Sequence, residues 1–187
     1  MAPYQKKAQN ERRTIVFVDE SGFYLLPAAL RTWAPCGQTP ELRYPLWDHL
    51  SVISGITMTG KLYTRTQETS VTGQDIVTFL RHLLHHIKGK LLIIWDGLPA
   101  HRSREVKRFL SNGGAKRIHL ERLPGYAPDL NPDEGIWHYL KSVELGNVCC
   151  QHLQELRLEL RRAIARLRHK KNIILACIRQ VNLPDTV

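Results

Sequence analysis

The chain has little that would place it in a membrane or outside the cell. No apolar run approaches the ~20 residues that a membrane-spanning helix needs, and residues 1–13 are polar and basic, without the apolar core of a signal peptide. There are only four cysteines (Cys36, Cys149, Cys150 and Cys177), two of them adjacent and none regularly spaced. That pattern indicates neither a disulfide framework nor a paired Cys-x-x-Cys zinc site. Of the nine histidines, His82, His85 and His86 fall on one predicted helix with no Cys or carboxylate to complete a metal set, and they read as a solvated basic face. No repeat and no low-complexity linker divides the chain. Acid is scarce as well: 17 Asp and Glu against 27 Lys and Arg give a formal charge of +10, which excludes an acidic binding protein and suits a polyanionic partner, nucleic acid above all. The expected setting is cytoplasmic.

At 187 residues the chain fits one domain with a real core. Its most informative stretch is Leu91-Leu92-Ile93-Ile94-Trp95-Asp96, an unbroken apolar run between Gly89 and Gly97 that ends on a carboxylate. Such a run predicts a strand covered on both faces, with Asp96 at its C-terminal edge, where open α/β sheets place their chemistry. Thr14 to Gly22 repeats the pattern: a β-rich run ends in Asp19-Glu20, which alternation sends to opposite faces, so only one of them readily joins Asp96.

Residues 1–13 are expected to be disordered or a linker. Prolines and glycines break up Phe23 to Trp47, apart from a short candidate strand at Arg31–Ala34, and Trp33, Tyr44 and Trp47 read as core cover. Leu50–Thr57 and Leu62–Gln67 predict a hairpin across Met58-Thr59-Gly60-Lys61. Thr72 and Asp75 form a capping-box pattern ahead of Ile76, Leu80, Leu83, Leu84 and Ile87, predicting a helix over about 73–86. A second helix is predicted over about 103–110, stopped by Asn112-Gly113-Gly114, then a strand over Ile118–Leu123. Antiparallel strands followed by βαβ units describe an α/β protein: a ribonuclease H-like mixed sheet flanked by helices.

In the loop from Leu123 to Trp137, Asn131 is placed as N-cap, Pro132 as first helical residue, and Asp133 and Glu134 in the first turn, where acids complement the helix dipole. A first-turn Glu134 can also face a neighbouring strand end.

Three motifs now stand in order: Phe17-Val18-Asp19-Glu20-Ser21, then Trp95-Asp96-Gly97-Leu98-Pro99-Ala100-His101-Arg102-Ser103, then Leu123 to Trp137 with Lys141. Together they resemble the catalytic domain of DDE transposases of the mariner superfamily, in its bacterial insertion-sequence branch. The resemblance covers about 14–141 and includes the 37 residues between Asp96 and Glu134. It departs at Gly97, where many relatives have Asn, and at Gly125, where a second Pro is common.

The resemblance implies that Asp19, Asp96 and Glu134 are catalytic and metal-binding, with Asp19 bridging two ions and Asp96 and Glu134 holding one each. Mg²⁺ or Mn²⁺ suits three hard carboxylates, and two such ions about 3.5–4 Å apart hold the attacking and leaving oxygens of an in-line displacement. It further implies cleavage and transfer of double-stranded DNA at transposon ends and target, and a nucleoid-associated bacterial enzyme that can pair as a homodimer; the alternative readings are a metal-dependent DNA endonuclease of the same fold and a non-catalytic DNA-binding regulator derived from a transposase. Only 13 residues precede the first strand, so a helix-turn-helix DNA-binding half is expected upstream or through a frameshift fusion.

His101, Arg102 and Arg104 are candidates for phosphate contact or for ordering the turn, and Lys141 is a further candidate DNA contact. His101 and Arg104 also satisfy the His-x-x-Arg of a tyrosine recombinase with Tyr126 or Tyr139 as nucleophile, a reading that leaves the acids unused. Residues 142–187 are expected to be a basic helical region, packed on or extending the same domain. Leu153, Leu156, Leu160, Ile164 and Leu167 give its apolar stripe, and Arg157, Arg161 and Arg168 are candidate DNA contacts on its other faces. From Glu155 to Lys171, seven bases against two acids supply half of the formal excess.

Overall fold

Five strands form one mixed sheet in a computed structural model that describes residues 2–25, 35–36, 48–125 and 128–181. The strands are β1 (Arg13–Tyr24), β2 (His49–Thr57), β3 (Leu62–Gln67), β4 (Lys90–Trp95) and β5 (Ile118–Arg122), in the order β3-β2-β1-β4-β5. Pairing is antiparallel from β3 through β2 to β1 and parallel from β1 through β4 to β5. This is the expected mixed sheet. The expected strand at 31–34, the aromatics Trp33, Tyr44 and Trp47, and Tyr126 lie outside the described residues.

Alternation along β1 sorts the core. Val16 and Val18 point to the face covered by α2 (Gly73–His86) and α3 (Arg104–Ser111), where they meet Ile76, Phe79, Leu80 and Leu83. Ile15 and Phe17 point to the other face, and Phe23 and Leu25 continue it beneath α4 (Pro132–His138), α5 (Leu153–His169) and α6 (Lys171–Gln180). The α2 cap forms as a capping box: Thr72 accepts from the Asp75 amide and the Asp75 side chain accepts from the Thr72 amide.

Residues 2–10, within the segment expected to be disordered or a linker, form helix α1 (Ala2–Asn10) instead. The charge pattern concealed a small apolar side: Ala8 is buried with Ile15, Phe17 and Leu92, and Tyr4 packs beside it. Lys7 pairs with Glu121 of β5, so part of the charge serves to dock the helix.

The late helices fix one another through a close approach. A Cβ on Gly135 of α4 would lie 2.9 Å from Cys177 Sγ of α6, so glycine is what lets the two helices pack at this depth. After His138 the helix widens into a π-helical segment, Tyr139–Glu144, in which the Tyr139 hydroxyl donates to Glu144 and accepts from Lys170. Among the described residues no helix is long and apolar enough to cross a membrane.

Candidate active site

Register brings the first two acids together. β1 and β4 run parallel with Val18 opposite Trp95, so one step further Asp19 stands beside Asp96 at the C-terminal edge of the sheet. The third comes from α4: Asn131 caps the helix by accepting from the Asp133 amide, Pro132 takes the first helical position, and Glu134 follows in the first turn, exposed. Asp19, Asp96 and Glu134 line one open cavity of about 400 Å³, with Gly97, Leu98, Arg122 and Asn131 among its other walls.

The three acids differ in setting. Asp19 is 6% exposed and accepts a hydrogen bond from Trp137 Nε1 at 2.8 Å. Burial pushes its carboxyl up to about 7, with the charges of Glu20 and Glu134 adding to the rise and the Trp137 bond opposing it. Asp96 moves the other way: burial alone would raise it, but hydrogen bonds from His101 and the Leu98 amide hold it below the usual carboxylate range. Lys141 donates to Ser21 at 2.8 Å, and burial lowers its ammonium against the opposing pull of Glu134 and Asp19.

Asp133 faces inward. It is fully buried, accepts from the Ser54 hydroxyl, and has one oxygen, Oδ2, without a partner. Burial, with Asp19 next, raises its carboxyl well above the usual range. It is the neighbouring Glu134 that opens onto the cavity.

His101, expected either to contact phosphate or to order the turn, is buried and holds the turn after Asp96. It is 3% exposed, stacked on Trp95 at 4.2 Å between ring centroids. Its Nε2 lies 2.9 Å from Glu20 and its Nδ1 2.9 Å from Asp96. Burial would lower the imidazole, but the two carboxylates outweigh it and raise it to about 10, so the ring is a cation clamped between two anions. Glu20 therefore faces away from Asp19, as alternation requires, and its charge is spent on His101.

Glu20, Asp96 and His101 are also close enough to hold a metal ion, with ligand atoms all within 4.8 Å. In this structure the ring places one nitrogen against each carboxylate, so the cluster is arranged as an ion-pair triad. The Asp19, Asp96 and Glu134 set fits a divalent cation better. Its donors are all oxygen, and the cavity they line opens onto solvent.

The other expected contacts are dispersed. Arg102 and Arg104 are exposed around the start of α3. On α5, Arg157 pairs with Glu68 at 2.8 Å, and Arg168 donates to Leu62 O and Thr64 Oγ1, tying the helix to β3. Arg161 is exposed and makes no side-chain hydrogen bond or ion pair among the described residues. Sequence reasoning missed Arg122, which lies two residues before the Pro124-Gly125 turn with nothing in its spacing to single it out.

A five-stranded mixed sheet in this order, with acids at the ends of β1 and β4 and at the start of a late helix, defines a ribonuclease H-like domain. Residues 14–157 match the model of the DDE superfamily endonuclease family, and the chain belongs to that family. A comparison with curated proteins finds no match. Among solved structures the fold is similar to the Mos1 mariner paired-end complex with Mn (TM-score 0.65, 16% identity, 98% of this chain and 61% of that one). It is similar also to the Mos1 strand transfer complex (0.62, 16%, 98% and 59%). The Mos1 transposase catalytic domain with raltegravir and Mn matches over 98% of this chain and 90% of its own length (0.59, 14%). The chain thus spans about three fifths of the first two chains and most of the isolated catalytic domain.

Proposed function

We propose that this chain is the catalytic part of a transposase that cuts and joins double-stranded DNA at the ends of an insertion sequence, using two divalent ions held by Asp19, Asp96 and Glu134. The observation that carries the reading is that acids from β1, β4 and α4 line a single open cavity in a chain of the DDE endonuclease family. In support, solved structures of similar fold are described as transposon-end and strand-transfer complexes, some with Mn or Mg.

Each acid has a role set by its surroundings. Asp19, central and dry, would hold both ions, its carboxylate fixed in place by the Trp137 Nε1 and Glu20 amide hydrogen bonds. Asp96 is kept ionised and fixed in rotation by His101 and the Leu98 amide, which makes it a ready ligand without reorganisation. Glu134, exposed at the start of α4, closes the set from the opposite wall. Bound Mg²⁺ or Mn²⁺ would neutralise the phosphate and ease deprotonation of the attacking hydroxyl, first of water and then of a DNA 3′ end. No side-chain nucleophile is needed: Tyr139, the described candidate, is engaged with Glu144 and Lys170. An upstream helix-turn-helix half, or a frameshift fusion to one, and a homodimer would supply end recognition and pairing.

The test is cleavage of a terminal-repeat duplex by the purified chain, or by its fusion to such a half. Cutting should require Mg²⁺ or Mn²⁺ and vanish in Asp96→Asn and Glu134→Gln with the fold retained. Full activity in excess EDTA, or a trapped covalent protein–DNA adduct, would overturn the reading.

A further inference from the structure

Arg122, the last residue of β5, is exposed, and its guanidinium occupies the space that a side chain at Gly97 would need. A Cβ on Gly97 would lie 2.1 Å from its Nη2, 2.2 Å from Nε and 2.3 Å from Cζ. Both residues line the cavity with Asp19, Asp96 and Glu134, and the guanidinium is near enough to help hold Asp96 ionised. Yet among the described residues its side chain makes no hydrogen bond or ion pair. Arg117, one strand-length earlier, shows what a structural arginine does here: it donates to three backbone carbonyls, those of Gly89, Leu84 and Ile87. Arg122 is a forked cation seated on backbone beside the acids, with its donors unspent.

We propose that Arg122 is a phosphate-binding residue of the site, its guanidinium taking a non-bridging oxygen of the DNA strand held at Asp19, Asp96 and Glu134. The inference rests on the function proposed above and adds a residue to it. A cavity walled by carboxylates repels a phosphodiester, and one fixed guanidinium offsets that repulsion while orienting the phosphate through two parallel hydrogen bonds. Gly97 is what makes the seat available: any larger residue there would push the guanidinium out.

The geometry gives the test an internal control. The atoms that a Cβ at Gly97 would strike are the far end of a flexible side chain, so Gly97→Ala displaces the guanidinium and leaves the sheet intact. Cleavage of a terminal-repeat duplex in Mn²⁺ is compared for the wild type, Arg122→Ala, Arg122→Lys, Gly97→Ala and the double Ala variant, with melting temperature followed in parallel. Arg122→Ala should lower kcat/KM by about 100-fold, the scale for removing one charge-stabilising donor. Arg122→Lys should recover part of it, and Gly97→Ala should lose activity while adding nothing in the Arg122→Ala background. All should melt near the wild type. Wild-type rates in Arg122→Ala, or losses from the two sites that multiply, would overturn the proposal. If the wild type itself fails to cut, the proposed function fails, and a salt titration of duplex binding decides this inference separately. Losing one phosphate contact flattens the log–log slope by about 0.9. An unchanged slope in Arg122→Ala, or no binding at all, overturns it.

Discussion

Replacing Asp19 with asparagine is expected to stabilise the metal-free protein above neutral pH, although it destroys the site. The ordinary Asp19 carboxyl would ionise at 3.8, and in the folded protein it does so at about 7. Between those values the folded state holds a proton that the unfolded chain has released. Wild-type stability therefore falls as pH rises through this window and levels off above it. About three units at 1.36 kcal/mol each set an upper bound of about 4 kcal/mol. Asparagine keeps an acceptor for Trp137 Nε1 but loses charge-assisted bonding to the Glu20 amide, worth about 1–3 kcal/mol, which leaves a net gain of about 1–3 kcal/mol. Chemical denaturation of both proteins from about pH 4 to pH 9 measures it, the difference between them isolating Asp19 from other titrating groups. Added Mg²⁺ should raise the stability of the wild type alone, since only it binds the ion in the folded state. A variant less stable than the wild type at every pH, with a difference that does not change with pH, would refute the charge-burial argument.

His101 supplies an opposite-signed group with the same trend: its folded value of about 10 lies above the ordinary 6.5, so its contribution is complete below about pH 6.5 and is lost as pH rises through 10. His101→Ala should flatten the alkaline limb of the stability profile and also weaken metal binding through a freed Asp96. Because Asp133 is fully buried and turned away from the cavity, Asp133→Asn should fold and still cut DNA, whereas Ser54→Ala should cost about 1–3 kcal/mol by leaving a second Asp133 oxygen unpaired. Urea titration checks both. On α5, Arg161→Ala should reduce the salt slope of duplex binding without lowering the melting temperature, and Arg168→Ala should do the reverse, because its donors are committed to β3.

The regular elements were legible because periodicity and capping carry them. The predicted 73–86 helix is α2, and Asn131 and Pro132 begin α4 as their chemistry dictates. The opposite facing of Asp19 and Glu20 also follows from alternation alone. What escaped depends on contacts between distant residues. Helix α1 is stable through Ala8 and Tyr4 against the sheet, not through any pattern of its own. The clamp on His101 joins residues 81 positions apart. The seat of Arg122 on Gly97 needs the parallel pairing of β4 and β5, which brings Trp95 opposite Arg122. The count of bases on α5 did not show their partners: Arg157 pairs with Glu68 at the surface and Arg168 donates to Thr64 of β3.

The most direct test of the central claim is a Mn²⁺ titration of the purified chain by calorimetry, repeated on Asp19→Asn, Glu134→Gln and Glu20→Gln. The account predicts binding of up to two ions by the wild type, loss of at least one in Asp19→Asn and in Glu134→Gln, and unchanged stoichiometry in Glu20→Gln. Binding that survives Asp19→Asn and Glu134→Gln but disappears in Glu20→Gln would move the ion to the Glu20, Asp96 and His101 cluster and contradict it.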